Sequence, residues 1–174
     1  MKTTGMVRRV DSLGRIVIPK EIRKVLKIKE NEQVEINVSN DQIVLNRYSE
    51  LNEYDESIKN LIDIIEDIFD KNIIITNLSS IALTSSKYKE LVNLELSSFL
   101  NNILEERKDI EENKLSGLSL SNESDDINCS FIIKTIIKNG DTIGLLIYLS
   151  DSNLSEFDSK LSELMLSFLD KYLE

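Results

Sequence analysis

The first 48 residues are patterned into elements that are too short to fold without a partner. The predicted elements are four strands around one short helix, with the bounds 5–10, 15–18, Gln33–Val38 and Gln42–Arg47 for the strands and Lys20–Leu26 for the helix. Pro19 suits the first position of that helix, because an N–H there would have no helical acceptor. A ββαββ unit of this size buries too small a core, and its helix is shorter than helices that are stable alone in water. We therefore expect an obligate dimer in which two chains complete one core.

Charge is divided unevenly along the chain. Residues 1–29 hold nine lysines and arginines against two acidic residues, whereas the rest of the chain holds 12 basic and 29 acidic residues. The two parts therefore carry net charges of +7 and −17, which give the overall −10. This asymmetry predicts an anionic partner such as nucleic acid for the basic end, with a merely solvated basic face as the alternative.

Histidine is absent, and Cys129 is the single cysteine. The chain therefore lacks Ser-His and Cys-His nucleophile pairs, histidine acid–base catalysis and most transition-metal sites. We expect no enzyme activity and no metal site, and we expect Cys129 to be a buried small hydrophobic residue rather than a redox group. Apolar runs such as Ile73–Ile75 and Leu145–Leu149 are too short to cross a bilayer, and no signal-peptide stretch opens the chain. The expected location is the cytoplasm, with no membrane partner.

A dense motif lies near the start of the chain. The run from Thr4 to Arg23, TGMVRRVDSLGRIVIPKEIR, together with the strands Val34–Val38 and Ile43–Tyr48, resembles the AbrB-type swapped-hairpin DNA-binding domain. The turn glycine, the proline and the arginines are all in register with that pattern. The resemblance implies double-stranded DNA as the partner, a loose preference for AT-rich promoter regions, and dimerisation through residues 1–48.

The same resemblance implies which side chains contact DNA. AbrB-type domains use basic residues of the first strand, of the LGR turn and of the short helix. Carried over by position, and with two auxiliary cations added at the end, the DNA-binding candidates are Arg8, Arg15, Arg23, Lys24, Arg9 and Lys2. Arginine is common in the family where Lys24 stands, and lysine keeps the charge but lacks the planar two-pronged fork. For each cation the alternative interpretation is an exposed surface charge.

Arginine suits this role for physical reasons. Any cation attracts phosphates and releases counterions, and arginine adds paired hydrogen bonds to guanine edges or phosphate oxygens. A helix of about seven residues cannot lie along a major groove as a recognition helix does, so we expect the contacts to follow groove shape and DNA deformability. Asp11 and Glu21 are expected to orient arginines within the dimer or, alternatively, to be simple surface charges. Gly14 and Pro19 are expected to shape the backbone.

Beyond residue 50 the chain alternates between helical and strand periodicity. The predicted order is helix, strand, strand, helix, loop, strand, strand and helix, over 54–69, 72–77, 80–84, 88–106, 111–128, 130–138, 142–149 and 155–173. This layout is typical of GAF and PAS domains. The segments Ile81–Lys87 and Lys138–Gly144 also resemble SpoVT-like transcription regulators, which join an AbrB module to a GAF-like sensor domain. We expect the apolar stripes of the first and last helices to pack between subunits, with the domain core as the alternative.

The predicted fold class is α+β, with an AbrB-like swapped-hairpin β-barrel dimer module over residues 1–50 and a GAF-like α/β sensor and oligomerisation domain over 51–174. The resemblance implies a sequence-preferring transcriptional regulator of sporulation genes, which forms a dimer through the first module and a tetramer through the second. Activation and repression both stay open. The alternative is an AbrB-type antitoxin that binds a toxin, although antitoxins usually carry a disordered acidic tail. A GAF-type methionine sulfoxide reductase would need several cysteines.

A ligand of the second domain is not identified by the sequence. No cofactor is expected, apart from an unidentified small molecule of the kind that GAF-like domains bind. Candidate lining residues are Ser79, Ser80, Ser85, Ser86 and Lys87. A serine-rich connection is more often only a loop, and that is the alternative interpretation.

Overall fold

The chain forms two compact units, Met1–Tyr48 (unit 1) and Ser49–Glu174 (unit 2). The computed structural model describes residues 6–25, 28, 34–39, 42–47 and 55–172. The helices and strands are α1 Lys20–Val25, β1 Val34–Ser39, β2 Gln42–Arg47, α2 Asp55–Phe69, β3 Asn72–Thr76, β4 Ile81–Thr84, a 3₁₀ helix Ser86–Leu91, α3 Ser98–Glu106, β5 Ile110–Leu118, β6 Ile127–Lys138, β7 Asp141–Ser150 and α4 Glu156–Tyr172. None of the described helices is long and apolar enough to span a membrane.

Unit 1 contains a hairpin and a short helix. β1 and β2 pair antiparallel, in a register that runs from Val34 opposite Arg47 to Ser39 opposite Gln42. α1 begins directly after the buried Pro19, where the sequence predicts it, and its six residues include no buried side chain. The hairpin and the helix therefore confirm three of the elements predicted for this unit.

The strands predicted over 5–10 and 15–18 are absent from the described part of unit 1. Residues 6–10 and 15–18 have no regular secondary structure, and apolar side chains there are exposed, Val7 by 85% and Val17 by 74%. A strand needs a hydrogen-bonded partner, and in the single chain β1 and β2 pair with each other but with neither of these segments. The prediction of strands over 5–10 and 15–18 is therefore wrong for the described residues of the single chain.

Unit 2 is a five-stranded antiparallel sheet with helices on both faces. The strand order is β4-β3-β7-β6-β5, so that β7 is central. Since successive side chains of a strand point to opposite faces, the sheet supports two cores. On one face α2 and α4 pack around the buried Tyr148. On the other face α3 and the 3₁₀ helix pack around the buried Ile147.

Most of the periodic elements predicted for unit 2 are present. The helices expected over 54–69 and 155–173 are α2 and α4, whose bounds agree with the expected ones to within one residue at each end. The turn between β6 and β7 has φ of +52° at Asn139 and +86° at Gly140. Two successive positive φ values are those of a type I′ hairpin turn, which Asn-Gly favours.

The single helix predicted over 88–106 is wrong. The chain forms the 3₁₀ helix, then a connection, and only then α3. In the connection Asn93 has φ +70°, and its N–H donates to the carbonyl of Ile81 in β4, so this segment follows the sheet edge instead of continuing a helix. Ser97 begins α3 by accepting a hydrogen bond from the Leu100 N–H at 3.2 Å. The helical spacing of apolar residues across this break misled the prediction.

The segment 111–128, predicted to include a loop, has its loop only between β5 and β6, and its first half is a strand that the sequence did not indicate. β5 pairs with β6, with Ile110 opposite Ile133 and Leu118 opposite Ile127. β5 is an edge strand, most of its side chains are polar, and only Leu118 is buried. Polar residues are how edge strands avoid unwanted pairing, but they also hide the strand from a search for apolar alternation.

A buried polar network ties the start of α4 to the sheet. Asp158 is 2% exposed and accepts hydrogen bonds from the hydroxyls of Tyr148 and Ser155 and from the Ser155 N–H, while the Lys71 ammonium lies 3.1 Å away. Ser155 and Asp158 form the reciprocal pair of a helix capping box. Burial alone would raise the pKa of the Asp158 carboxyl, but the hydrogen bonds from Ser155, Tyr148 and Lys71 outweigh burial and lower it.

We expect Asp158→Asn to destabilise unit 2 by about 3 kcal/mol at pH 7, because the partly buried Lys71 loses its counter-charge. The folded-state pKa of Asp158 lies below the unfolded value of about 4, so the carboxylate's contribution is fully present above that pH and is lost as the pH falls. The stability gap between wild type and variant should narrow by about 1.4 kcal/mol per pH unit below pH ~4. Urea denaturation followed by circular dichroism at pH 7 and pH 3 measures the gap. Asp151→Asn, at a carboxylate that is 70% exposed, is the control, and a gap independent of pH contradicts the assignment.

Gly144 in β7 lies against the neighbouring strand β3. A Cβ at this position would lie 1.9 Å from the carbonyl oxygen of Thr76. Gly144→Ala should therefore destabilise unit 2 by about 3 kcal/mol or more, since the clash is with backbone atoms. Gly117→Ala is the matched control, because its Cβ would make an ordinary contact of 3.5 Å with Asp126. Equal melting temperatures for the two variants would contradict this prediction.

Candidate nucleic-acid interface

A tight turn at Asp11–Arg15 displays one of the predicted DNA-binding arginines. The Gly14 N–H donates to the Asp11 carbonyl at 3.0 Å, and the Asp11 N–H donates to the Arg15 carbonyl at 3.0 Å. The Asp11 carboxylate closes the turn from inside, since its Oδ1 accepts the N–H groups of Leu13 and Arg15 at 2.9 and 2.8 Å. Gly14 has φ +77°, a backbone conformation that glycine adopts without steric cost.

The second carboxylate oxygen of Asp11 holds the Arg15 side chain. The Arg15 Nε donates to Asp11 Oδ2 at 2.8 Å, while the Arg15 side chain is 72% exposed. The pKa of the Asp11 carboxyl lies below its usual value, because the backbone N–H and the guanidinium of Arg15 both stabilise the ionised form. The turn thus presents a guanidinium that is held at Nε by Asp11 and is otherwise exposed. Asp11 contacts an arginine as expected.

The other predicted cations lie on both sides of this turn. Arg8 and Arg9 are exposed in the segment before it, and the Arg8 guanidinium donates to the Val7 carbonyl at 3.1 Å. Arg23 and Lys24 lie on α1 after it, where Lys24 is exposed and Arg23 is half-buried. Lys2 lies outside the described residues.

α1 positions Arg23 through the backbone. The Arg23 N–H donates to the Pro19 carbonyl at 2.9 Å, and the Arg23 carbonyl accepts from the Ile28 N–H at 2.8 Å. The Arg23 Nε is buried and finds no acceptor among the described residues. Glu21, on the same helix, is exposed and shows no contact with an arginine in the described part of the chain. The expected role of Glu21 in orienting an arginine within the dimer stays a prediction.

The serines predicted to line a pocket in unit 2 are used within the fold. Ser79 and Ser80 hydrogen-bond to Asn77 and shape the turn between β3 and β4. Ser85 is buried and accepts from the Ile73 N–H at 2.8 Å, Ser86 donates to Glu66, and Lys87 pairs with Asp151 at 3.0 Å. These contacts support the alternative interpretation, which is a structural connection.

Unit 2 has an open cavity of about 650 Å³ in a different place, which the sequence did not indicate. It is lined by Glu106, Arg107, Lys108, Asp109, Thr135, Ile137 and Leu166. Cys129 does not line this cavity but is fully buried in the core of unit 2. Burial raises the pKa of its thiol to about 11, which matches the expected role of a small hydrophobic residue.

Two protein-family models match different parts of the chain. Residues 45–174 match the family model described as stage V sporulation protein T C-terminal, transcription factor, and residues 7–50 match the MazE model, described as antidote-toxin recognition, bacterial antitoxin. The transition state regulatory protein AbrB of Bacillus subtilis (strain 168) is 52% identical over 48 residues, which are 28% of this chain and 50% of that protein. The predicted resemblance to AbrB is confirmed.

The fold of unit 2 is also confirmed. The crystal structure of the GAF domain from the Acinetobacter phosphoenolpyruvate-protein phosphotransferase aligns with a TM-score of 0.51 at 14% identity, over 71% of this chain and 87% of that one. Stage V sporulation protein T of Bacillus subtilis (strain 168) is 34% identical over 177 residues, which are 100% of this chain and 99% of that protein. Since both this relative and the first family model extend over most of the sequence, the chain belongs to the stage V sporulation protein T family of transcription factors.

Proposed function

We propose that this transcription regulator binds AT-rich promoter DNA through the basic residues of unit 1 and controls sporulation genes. The observation that carries the proposal is the Asp11–Arg15 turn, which holds an exposed guanidinium within the AbrB-like stretch. The proposed contacts are Arg8, Arg15, Arg23 and Lys24, with Arg9 and Lys2 as auxiliary cations. DNA binding also assigns the protein to the cytoplasm, where the chromosome lies.

The short elements of unit 1 support recognition of DNA through the shape of its grooves rather than through a recognition helix. α1 has six residues and is therefore about 9 Å long, too short to lie along a major groove with several side chains at base edges. Arg15 lies on a turn, from which an arginine can enter a groove whose width and flexibility depend on sequence. AT-rich segments have a narrow minor groove with enhanced negative potential, which attracts such an arginine.

Exposed apolar side chains support a dimer through unit 1. Within its described residues Val7, Val17, Ile36, Val38 and Ile43 are between 66% and 85% exposed. A monomeric soluble unit of this size does not keep so much apolar surface in water. We infer that a second copy covers these side chains and supplies the partner edges for the segments 6–10 and 15–18.

The outer sides of α2 and α4 support a further assembly into a tetramer. The inner sides pack on the sheet, but Ile68 on α2 and Leu164 on α4 stay exposed by 67% and 63%. Phe69 and Phe157 join the two helices, with ring centroids 5.2 Å apart and exposures of 40% and 47%. Apolar positions on both the inner and the outer side of these helices fit helix packing between subunits.

An antitoxin role is the alternative, favoured by the match of residues 7–50 to the MazE model. In that role a disordered acidic tail wraps the toxin. Residues 55–172 instead form a sheet with two buried cores, and the family match covers them. The structure of unit 2 therefore favours the regulator, and a random-coil circular dichroism spectrum of residues 50–174 would favour the antitoxin.

Arg15→Ala should lower affinity for DNA on the order of 100-fold per dimer, because each lost arginine contact is worth about 1–3 kcal/mol. The target is a duplex that the wild-type protein selects from a random-sequence pool, and binding is measured across a salt series. Lys160→Ala, which removes a cation that is 70% exposed on α4, is the control and should leave binding unchanged. Unfolding or dissociation of the Arg15 variant would show that the side chain is structural and would reject its role as a contact.

Leu164→Asp should convert the tetramer into a dimer, because a charge placed in an apolar helix interface is desolvated without a partner. Multi-angle light scattering measures the mass of the assembly. Leu115→Asp is the matched control, since Leu115 is 49% exposed but lies on the edge strand β5. Equal masses for wild type and the Leu164 variant would contradict the assignment of this face.

A further inference from the structure

The carboxylate of Asp11 divides its two oxygens between two tasks. Oδ1 accepts the backbone N–H groups of Leu13 and Arg15 and so belongs to the turn. Oδ2 accepts the Arg15 Nε at 2.8 Å and so acts on the side chain. The second contact is not needed to close the turn, because the backbone bonds between Asp11 and Arg15 and from Gly14 already close it.

This contact fixes the direction of the guanidinium. Arg15 has a long flexible side chain that is 72% exposed, and an arginine of this kind samples many rotamers when it is free. The guanidinium is planar, so a hydrogen bond at Nε restrains its plane and leaves the end-on N–H donors of Nη1 and Nη2 available. Those two groups form the end-on pair of hydrogen bonds with a base edge or with phosphate oxygens.

The contact between Asp11 and Arg15 also weakens the sequence-independent attraction of Arg15 to DNA phosphates. An unpaired arginine attracts phosphates wherever they occur, and it releases counterions on binding. With the Asp11 carboxylate 2.8 Å from Nε, the pair is close to neutral at distances beyond a few ångströms. The carboxylate also repels nearby phosphates. The Arg15 guanidinium therefore contributes most binding free energy where its terminal N–H groups meet acceptors placed to match their direction.

We infer that Asp11 is a positioning residue for DNA recognition, which holds Arg15 for contact within a groove and suppresses its use as a general phosphate contact. Asp11 thereby sets the ratio of affinities for selected and unselected DNA. This inference rests on the proposed DNA-binding function. It assigns the selectivity of the Arg15 contact to an acidic residue that does not itself bind the duplex.

Asp11→Asn tests this inference in the full-length protein. The amide oxygen of asparagine still accepts the backbone N–H groups of the turn, but its NH₂ group cannot accept from Arg15 Nε. Binding is measured for the selected duplex and for a mixed-sequence duplex of equal length, each across a salt series. We expect the ratio of the two affinities to fall about tenfold, with tighter binding of the mixed-sequence duplex and a steeper salt dependence.

Glu35→Gln is the matched control, because it removes one exposed carboxylate from β1 of the same unit. This control should strengthen binding to both duplexes by the same factor and leave their ratio unchanged. An Asp11→Asn ratio equal to that of wild type, or equal effects of the two variants on both duplexes, would overturn the inference.

A second variant covers the case in which Asp11→Asn disturbs the fold, as judged by circular dichroism and light scattering. Arg15→Lys keeps Asp11 and the charge but has no Nε and no planar group. It should keep its affinity for mixed-sequence DNA and lose the preference for the selected duplex, and a preserved preference would overturn the inference. Failure of the proposed function looks different, since the wild-type protein itself would then select no duplex from the pool.

Discussion

Antiparallel pairing of β6 with β7 is the interaction on which unit 2 depends. The two strands pair from Ser130 opposite Ser150 to Lys138 opposite Asp141, and the last seven residues of β7 are all buried. A strand buried on both faces needs cover above and below the sheet. α2 and α4 give one cover, and α3 with the 3₁₀ helix gives the other. β7 is then fastened near both ends, since Gly144 touches the backbone of β3 and the Tyr148 hydroxyl donates to Asp158. The helix layers on both faces of the sheet thus cover the strands of the β6–β7 hairpin.

The described part of unit 1 has no such covered strand, so its folding and the proposed DNA binding both depend on the inferred dimer. Within its described residues Pro19 is buried, whereas α1 has no buried side chain and β1 exposes Ile36 and Val38. The turn that displays Arg15 therefore lies on a body that one copy does not complete. If a second copy completes it, affinity for DNA depends on protein concentration through dimerisation as well as through binding. Two turns related by symmetry would then contact DNA together. The combined affinity could be high even if each Arg15 contact contributed only a modest binding free energy.

Local periodicity made some elements predictable and concealed others. α2, α4 and the Asn139-Gly140 hairpin are encoded by residues close in sequence, and the AbrB-like motif with its LGR turn located Arg15 and its neighbour Asp11. β5 was missed because its polar residues reflect its place at the sheet edge, which depends on pairing with β6. The break around Asn93 was missed because it depends on contact with β4. The segments expected to be strands over 5–10 and 15–18 have the composition of strands, but their described residues pair with no strand in the single chain. The Lys71–Asp158 pair joins residues far apart in sequence, and only the Ser155–Asp158 capping spacing could have indicated part of it.

Charge sets the last constraint on how this protein meets DNA. Unit 1 carries ten cations and six anions, whereas unit 2 carries 11 cations and 25 anions. The whole chain is therefore repelled by the DNA polyanion wherever charges are not screened. At physiological ionic strength the screening length is about 8 Å, so arginine contacts persist while the long-range repulsion fades. Lowering the salt concentration strengthens both the contacts and the repulsion. The salt dependence of binding should then be shallower than the number of phosphate contacts alone implies, and electrostatic steering contributes little to the association rate. A regulator with this charge pattern must obtain selectivity from contacts at close range, such as the proposed contact of the Asp11-held Arg15.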